Sequence, residues 1–137
     1  MFDKSERSSF KYWFAHLCAF NMTALNLKAW KFKYLFHDFE KPWLMWLWKD
    51  YTIVQMWHRQ HNRHHLEYTG KKNYDFEAMI IDWECSRFTK SASPQTAQQE
   101  YERLLSEKTD IPIWVKHGIE STLIKFNLHT EQKIYEY

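Results

Sequence analysis

Glycine and proline are scarce in this chain, with 2 Gly and 3 Pro in 137 residues. Many short strands joined by tight turns need both residues, so a β-sandwich or barrel is excluded as the leading fold class. Gly70 and Gly118 alone cannot build a Walker A loop or a GxGxxG turn, which removes the P-loop and dinucleotide-binding enzymes at the level of motif. Cysteine is equally sparse: Cys18 and Cys85 lie far apart, without CxxC spacing, in apolar stretches. They are expected to be reduced core thiols of a cytosolic protein. No charge of one sign dominates, because 19 Lys and Arg face 17 Asp and Glu, for a net charge of +2. That balance argues against a nucleic-acid or anionic-membrane surface, even with Lys28, Lys31 and Lys33 among aromatics. A long apolar run is missing too. The greasiest stretch, Pro42 to Trp48, falls far short of the ~20 residues of a membrane span. Lys41, Lys49 and Asp50 bracket it, so it reads as a buried helix or an interfacial patch, with Trp43, Trp46 and Trp48 able to meet a protein partner. Asp3, Lys4, Glu6 and Arg7 in the first ten residues do not fit a secretory signal, and a cytoplasmic location is expected.

What is present is a chain 45% hydrophobic and 19% aromatic, with 8 histidines, five of them between His37 and His65. The expected fold is all-α: about six helices in a single domain spanning 1–137, its motifs within about 10–90 and helices in about 94–137 completing the core. Ser8-Ser9 caps a first helix to about Phe20, and a second runs from about Leu27 to Glu40 before Lys41-Pro42 stops it. An apolar turn over 43–48 follows, and Tyr51 to about Tyr68 forms the next helix, bounded by Gly70. Asp75 caps a helix with the stripe Phe76, Met79, Ile80 and Trp83. Pro94 opens a polar helix from Gln95 to Lys108, Asp110 and Pro112 announce one through about Lys125, and the tail 126–137 is read as either helix or extended chain.

The run His58-Arg-Gln-His61-Asn-Arg-His64-His65 carries the strongest chemical signal. On a helix turning ~100° per residue, His58, His61 and His65 share a stripe of ~60°, with His64 at its edge. Imidazoles so stacked suit metal ligation, although a single one would be an ordinary polar-face residue. His37-Asp38 could share an ion only where a helix end opens the backbone. Asp82 stands inside the apolar run Met79 to Trp83, where a carboxylate needs a cation, Arg or Lys beside it. His16 flanks the apolar face of the first helix, and alone it would be an ordinary core histidine. His117 and His129 have no partners in sequence and are read as structural.

In order, His16, His37-Asp38, His58 or His61, His64-His65 and Asp82 form an H, HD, H, HH, D series. The series resembles the HD-domain superfamily of metal-dependent phosphohydrolases, and Lys41 matches the HDxxK pattern of its two-metal branch. More closely, His16, His37 to Lys41, Trp57-His58, Asn62 to Tyr68 and Asp82-Trp83 resemble a domain-of-unknown-function family of phages and Gram-positive bacteria. A GYP element follows the HH pair in the two-metal branch, whereas Tyr68-Thr-Gly-Lys-Lys-Asn-Tyr stands here, so cyclic-dinucleotide specificity is not carried over. The resemblance implies an HD-like helical fold with a metal pocket between helices, in the host cytoplasm if the chain is phage-encoded. It implies His37, Asp38 and Asp82 as primary ligands with His16 completing the site, Asp38 bridging, and His58, His64 and His65 on a second ion or the substrate. His61 stays open between ligand and support. One or two divalent ions (Mn, Fe, Co or Mg in preference to Zn) would activate a water to attack a phosphate ester or nucleotide. Asp38 and Lys41 are the expected catalytic residues, with Arg59 and Arg63 as phosphate clamps. Trp57, Tyr68 and Trp83 are expected to fill the core, with base stacking as the sharper alternative. A non-catalytic metal- or nucleotide-binding or host-interaction module is the competing reading.

Overall fold

The computed structural model describes residues 4–66, 74–89, 96–108 and 110–129. Among these, six α-helices occur and no strand: α1 Phe10–Asn26, α2 Glu40–Trp48, α3 Tyr51–His61, α4 Phe76–Cys85, α5 Ala97–Glu107 and α6 Ile113–Lys125. The centre is α4, which packs against α1, α5 and α6, while α2 pairs with α3 and touches α1. Ala78, Met79, Ile80, Ile81 and Cys85 are all buried, so α4 is covered on most of its circumference, as a helix surrounded by others must be. Phe20 and Ala24 of α1, Ala97 and Tyr101 of α5, and Val115, Ile119 and Leu123 of α6 close one core around it. The helices after residue 96 therefore pack into the same core.

Local chemistry explains most boundaries. Ser9 caps α1 by accepting from the Tyr12 N–H, and the helix continues beyond Phe20 because Thr23 and Ala24 prolong its buried face. Asp75 caps α4 through the Ala78 N–H, and Thr96 with Gln99 forms a reciprocal capping box on α5. At Gly118 the α6 backbone presses against the Phe76 ring, and a Cβ there would stand 2.3 Å from the ring carbons.

Four sequence expectations need correction. The helix expected over 27–40 is a loop holding only a 3-10 turn, Phe32–Phe36, in which Tyr34 alone is buried. The left-handed backbone at Lys28 and Asp38 interrupts a helical path, and the Tyr34 carbonyl accepts from Asn21 Nδ2 at 2.8 Å. The stretch 43–48 is part of helix α2, and Pro42 sits in its first turn, where the missing N–H has no helical partner to lose. The third helix ends at His61, because Asn62 turns extended and its side-chain amide satisfies the His58 carbonyl at 2.8 Å. Finally, Cys18 is exposed on α1, while Cys85 alone is a buried thiol. Tyr68, Gly70, Pro94 and residues 130–137, on which other expectations fell, lie outside the described residues. Phe126 is buried against the core as the chain leaves α6.

Candidate metal centre

Two groups of side chains converge where α1, the turn before α2, the end of α3 and α4 meet. His16, His37, Asp38 and Asp82 form one, and His58, His64 and His65 the other; within each, the candidate ligand atoms all lie within 4.8 Å of one another. His16 comes from the buried side of α1 and Asp82 from α4, which α1 packs against. His37 and Asp38 occupy the opened backbone between the 3-10 turn and α2. Asp38 adopts φ 56, the left-handed region that Asp tolerates better than most residues. That reversal lets neighbours in sequence aim at one point, and His37 Nε2 lies 3.4 Å from Asp38 Oδ1. Trp13 Nε1 donates to the Asp38 carbonyl at 2.8 Å, tying the turn to α1, and the His37 ring stacks on Phe20 at 3.7 Å between centroids.

Several of the separations are compatible with ligands around a cation. Two ligands ~2.1 Å from one ion, at angles between 90° and tetrahedral, stand ~3.0–3.4 Å apart. His16 Nε2 lies 2.8 Å from Asp82 Oδ1 and 3.3 Å from His37 Nε2, which is itself 3.3 Å from Asp82 Oδ1. Asp38 faces both groups. Its Oδ2 is 3.7 Å from His16 Nε2, while its Oδ1 is 3.0 Å from His58 Nε2 and 3.3 Å from His64 Nε2. Yet Asp38 Oδ1 and the Nε2 atoms of His58, His64 and His65 are buried without an aligned hydrogen-bond partner. Leaving such atoms unsatisfied is expensive, and a shared cation would satisfy all four. Buried His and Asp groups here could therefore hold a metal ion.

The electrostatics agree. Burial pushes His37 down to about 4, against the pull of Asp38 and Asp82, so its ring is neutral at neutral pH. His65 is driven well below its ordinary value by burial and by His64. Burial would raise both aspartates, but His37, Lys41 and His58 hold Asp38 well below the usual carboxylate range, and His16 and His37 do the same for Asp82. Lys41 Nζ lies 3.4 Å from Asp38 Oδ2, and despite burial that carboxylate raises its pKa and keeps it charged. His58 moves opposite to His37. Burial would lower it, but the carboxylates of Asp38 and Glu40 raise it.

Glu40 is the supporting residue that sequence reasoning missed. Its Oε1 accepts from His58 Nδ1 and, at 2.8 Å, from Asn62 Nδ2, so the carboxylate fixes which nitrogen of His58 faces Asp38. A carboxylate behind a metal-binding imidazole is a recurring device. The available signal was the buried histidine itself, whose second nitrogen needs an acceptor.

The expected helical stripe of His58, His61 and His65 is not observed. His58 is the last inward residue of α3, and His64 and His65 reach the group from the turn beyond the helix end. His61 is exposed, stacks on Trp57 at 4.3 Å and bonds back to the Trp57 carbonyl, so it is not brought to either group. Arg59 lines a groove of about 390 Å³ on the outer side of α3, and Arg63 is exposed. Trp57 lies at the surface rather than in the core, whereas Trp83 packs against the core. Trp43, Trp46 and Trp48 are exposed on α2. Lys31 and Lys33 pair with Glu77 and Asp75. No helix among the described residues is long and apolar enough to cross a membrane. Comparison with protein-family models, with curated proteins and with solved structures returns no match.

Proposed function

We propose that this chain is a metal-dependent phosphohydrolase of HD-domain type, acting on a phosphate ester or nucleotide with one or two divalent ions. The observation that carries the reading is the placement of Asp38, whose carboxylate meets imidazoles of both groups, Oδ1 beside His37, His58 and His64 and Oδ2 beside His16. A carboxylate so placed can be shared between neighbouring cations, and the mixed His and carboxylate donors suit Mn²⁺, Fe²⁺, Co²⁺ or Mg²⁺ better than a thiolate zinc site. Such cations, when bound, supply Lewis acidity toward water and toward phosphoryl oxygens. The residues divide the remaining work. His16, His37, Asp38 and Asp82 would hold one ion, and His58, His64 and His65, with Asp38, the other. Neutral His37 and His65 need lose no proton to ligate at neutral pH. Lys41 keeps a fixed positive charge beside Asp38, where it can orient a phosphoryl oxygen and offset its charge.

Elemental analysis of protein purified without chelator, followed by a panel of phosphate esters assayed with Mn²⁺, tests the proposal. Bound metal, turnover, and loss of turnover in a folded Asp38→Ala protein are expected. A folded chain that takes up no metal would sink it, and an Asp82→Asn protein keeping both metal and activity would refute the ligand set.

A second reading has its own support. Exposed Phe36, Phe39 and Trp43 form a continuous ladder of ring contacts, with Trp46, 71% exposed, on the same side of α2. A soluble enzyme has little use for such a ridge, so a metal-binding interaction module that turns nothing over is the alternative. Metal uptake without turnover of any ester, combined with loss of partner capture in Trp46→Ser, would favour it.

A further inference from the structure

Beside the first histidine–aspartate group lies a cavity of about 130 Å³, between the start of α1 and the facing ends of α2 and α3. His16, Asp38 and Lys41 line it together with Arg7, Tyr12 and Tyr51. We infer that this cavity is the substrate's phosphoryl subsite, that Arg7 is its second cationic clamp opposite Lys41, and that the substrate is a phosphate monoester. The inference rests on the phosphohydrolase reading and narrows it.

Two observations carry it. Arg7 Nε is buried and has no hydrogen-bond partner, although a guanidinium donor taken out of water needs an acceptor. Lys41 lines the same cavity with its Nζ 3.4 Å from Asp38 Oδ2, so an ammonium stands beside the histidine–aspartate group.

Size and charge then select the ligand. Pockets that enclose whole small molecules run from ~300 to ~1,000 Å³, so this cavity admits a phosphoryl group but not a nucleobase or sugar as well. A guanidinium fork grips two oxygens of one phosphoryl group while an ammonium meets a third, which a monoester can supply. A diester has two of its oxygens esterified, and its second organic arm would have to enter the cavity. The organic part of the substrate is thus left at the mouth, and selectivity rests on the terminal phosphate. Sequence reading passed over Arg7 because it precedes the first motif by nine positions and belongs to no pattern.

The test is calorimetric titration of the full chain in Mn²⁺ with inorganic phosphate, methyl phosphate and dimethyl phosphate. One phosphate or methyl phosphate per chain is expected, with dimethyl phosphate at least about tenfold weaker, the loss of one charge-assisted contact. Arg7→Gln is expected to weaken phosphate about tenfold or more, with manganese content and thermal midpoint unchanged, and Arg7→Lys to recover part of the loss. Unchanged phosphate affinity in Arg7→Gln, or equal binding of the monoester and the diester, overturns the inference. A chain that binds manganese but no phosphate also overturns it, while leaving the metal centre standing. A chain that binds phosphate through Arg7 but no metal keeps the subsite and removes the hydrolase reading.

Discussion

Removing the carboxylate behind His58 separates a metal centre from a chance crowd of histidines. In Glu40→Ala the His58 Nδ1–H loses its acceptor and Asn62 Nδ2 loses one of its partners, while every proposed ligand stays in place. His58 is fully buried, so no water takes over easily, and the ring is free to rotate or to carry its proton on the other nitrogen. Loss of such an orienting carboxylate elsewhere costs ~10–100-fold in metal affinity, or about 1.4–2.7 kcal/mol. The same range is expected here, with Glu40→Gln nearer the lower end because its amide oxygen can still accept.

The centre contains its own control. Glu40 supports the His58, His64 and His65 group, whereas His16, His37 and Asp82 lie on the other side of Asp38. Calorimetric titration with Mn²⁺ should therefore show one binding event weakened and the other nearly unchanged. Equal weakening of both would mean that Glu40 acts through the fold and not through His58. Unchanged affinity at both would refute the assignment of His58 as a ligand.

Other expectations follow from the same geometry. Asp75→Ala removes the α4 cap and the partner of Lys33, and should destabilise the chain by about 1 kcal/mol in denaturant titration at pH 7. Burial would raise the Asp75 pKa, but Lys33 and the Ala78 N–H lower it. Its contribution is therefore present above the unfolded carboxylate value and lost as pH falls through the lower folded one, so mutant and parent should converge in acid; a gap that persists there would refute the role. Native thiol labelling should find Cys18 reacting fast and Cys85 only on unfolding, and two equally fast thiols would contradict the packing of α4. Gly118→Ala should lower the thermal midpoint, because the strain of displacing Phe76, ~1–3 kcal/mol, outweighs the ~1 kcal/mol gained in helix propensity. A raised midpoint would show that the ring swings away freely. Mn²⁺ at ~100 times its dissociation constant should stabilise the native chain by about 2.7 kcal/mol, reversed by chelator, and a midpoint indifferent to both would argue against binding to the folded state alone.

How much of the centre was legible in the chain depends on which physical rule governs each residue. His16, Asp82 and the HD pair could be found because a polar group within an apolar run has to be accounted for wherever the chain folds. The central helix was legible for a similar reason, since Asp75 and the stripe after it agree on where it starts and what it buries. His61 misled because the 3.6-residue period was extended past the end of α3. Asn62, a residue that often follows a helix C-terminus, was the stop signal in plain sight. Pro42 misled in the opposite sense, as a stop where it stands in a first turn.

Glu40 and Arg7 were illegible for a different reason: their roles lie in what they face, which no local period encodes. The same holds for Asp38. Its residue type was a signal, but its φ of 56 was not, and that angle is what brings His37 and Asp38 to one point. An α-helix would have set these neighbours ~100° apart, with only one of them able to face the other histidines. The loop that replaces the expected helix over 27–40 is thus no failure of the segment to form regular structure. The open backbone places a carboxylate between two sets of imidazoles. The local helical rule gives way where the buried histidines and aspartates gather.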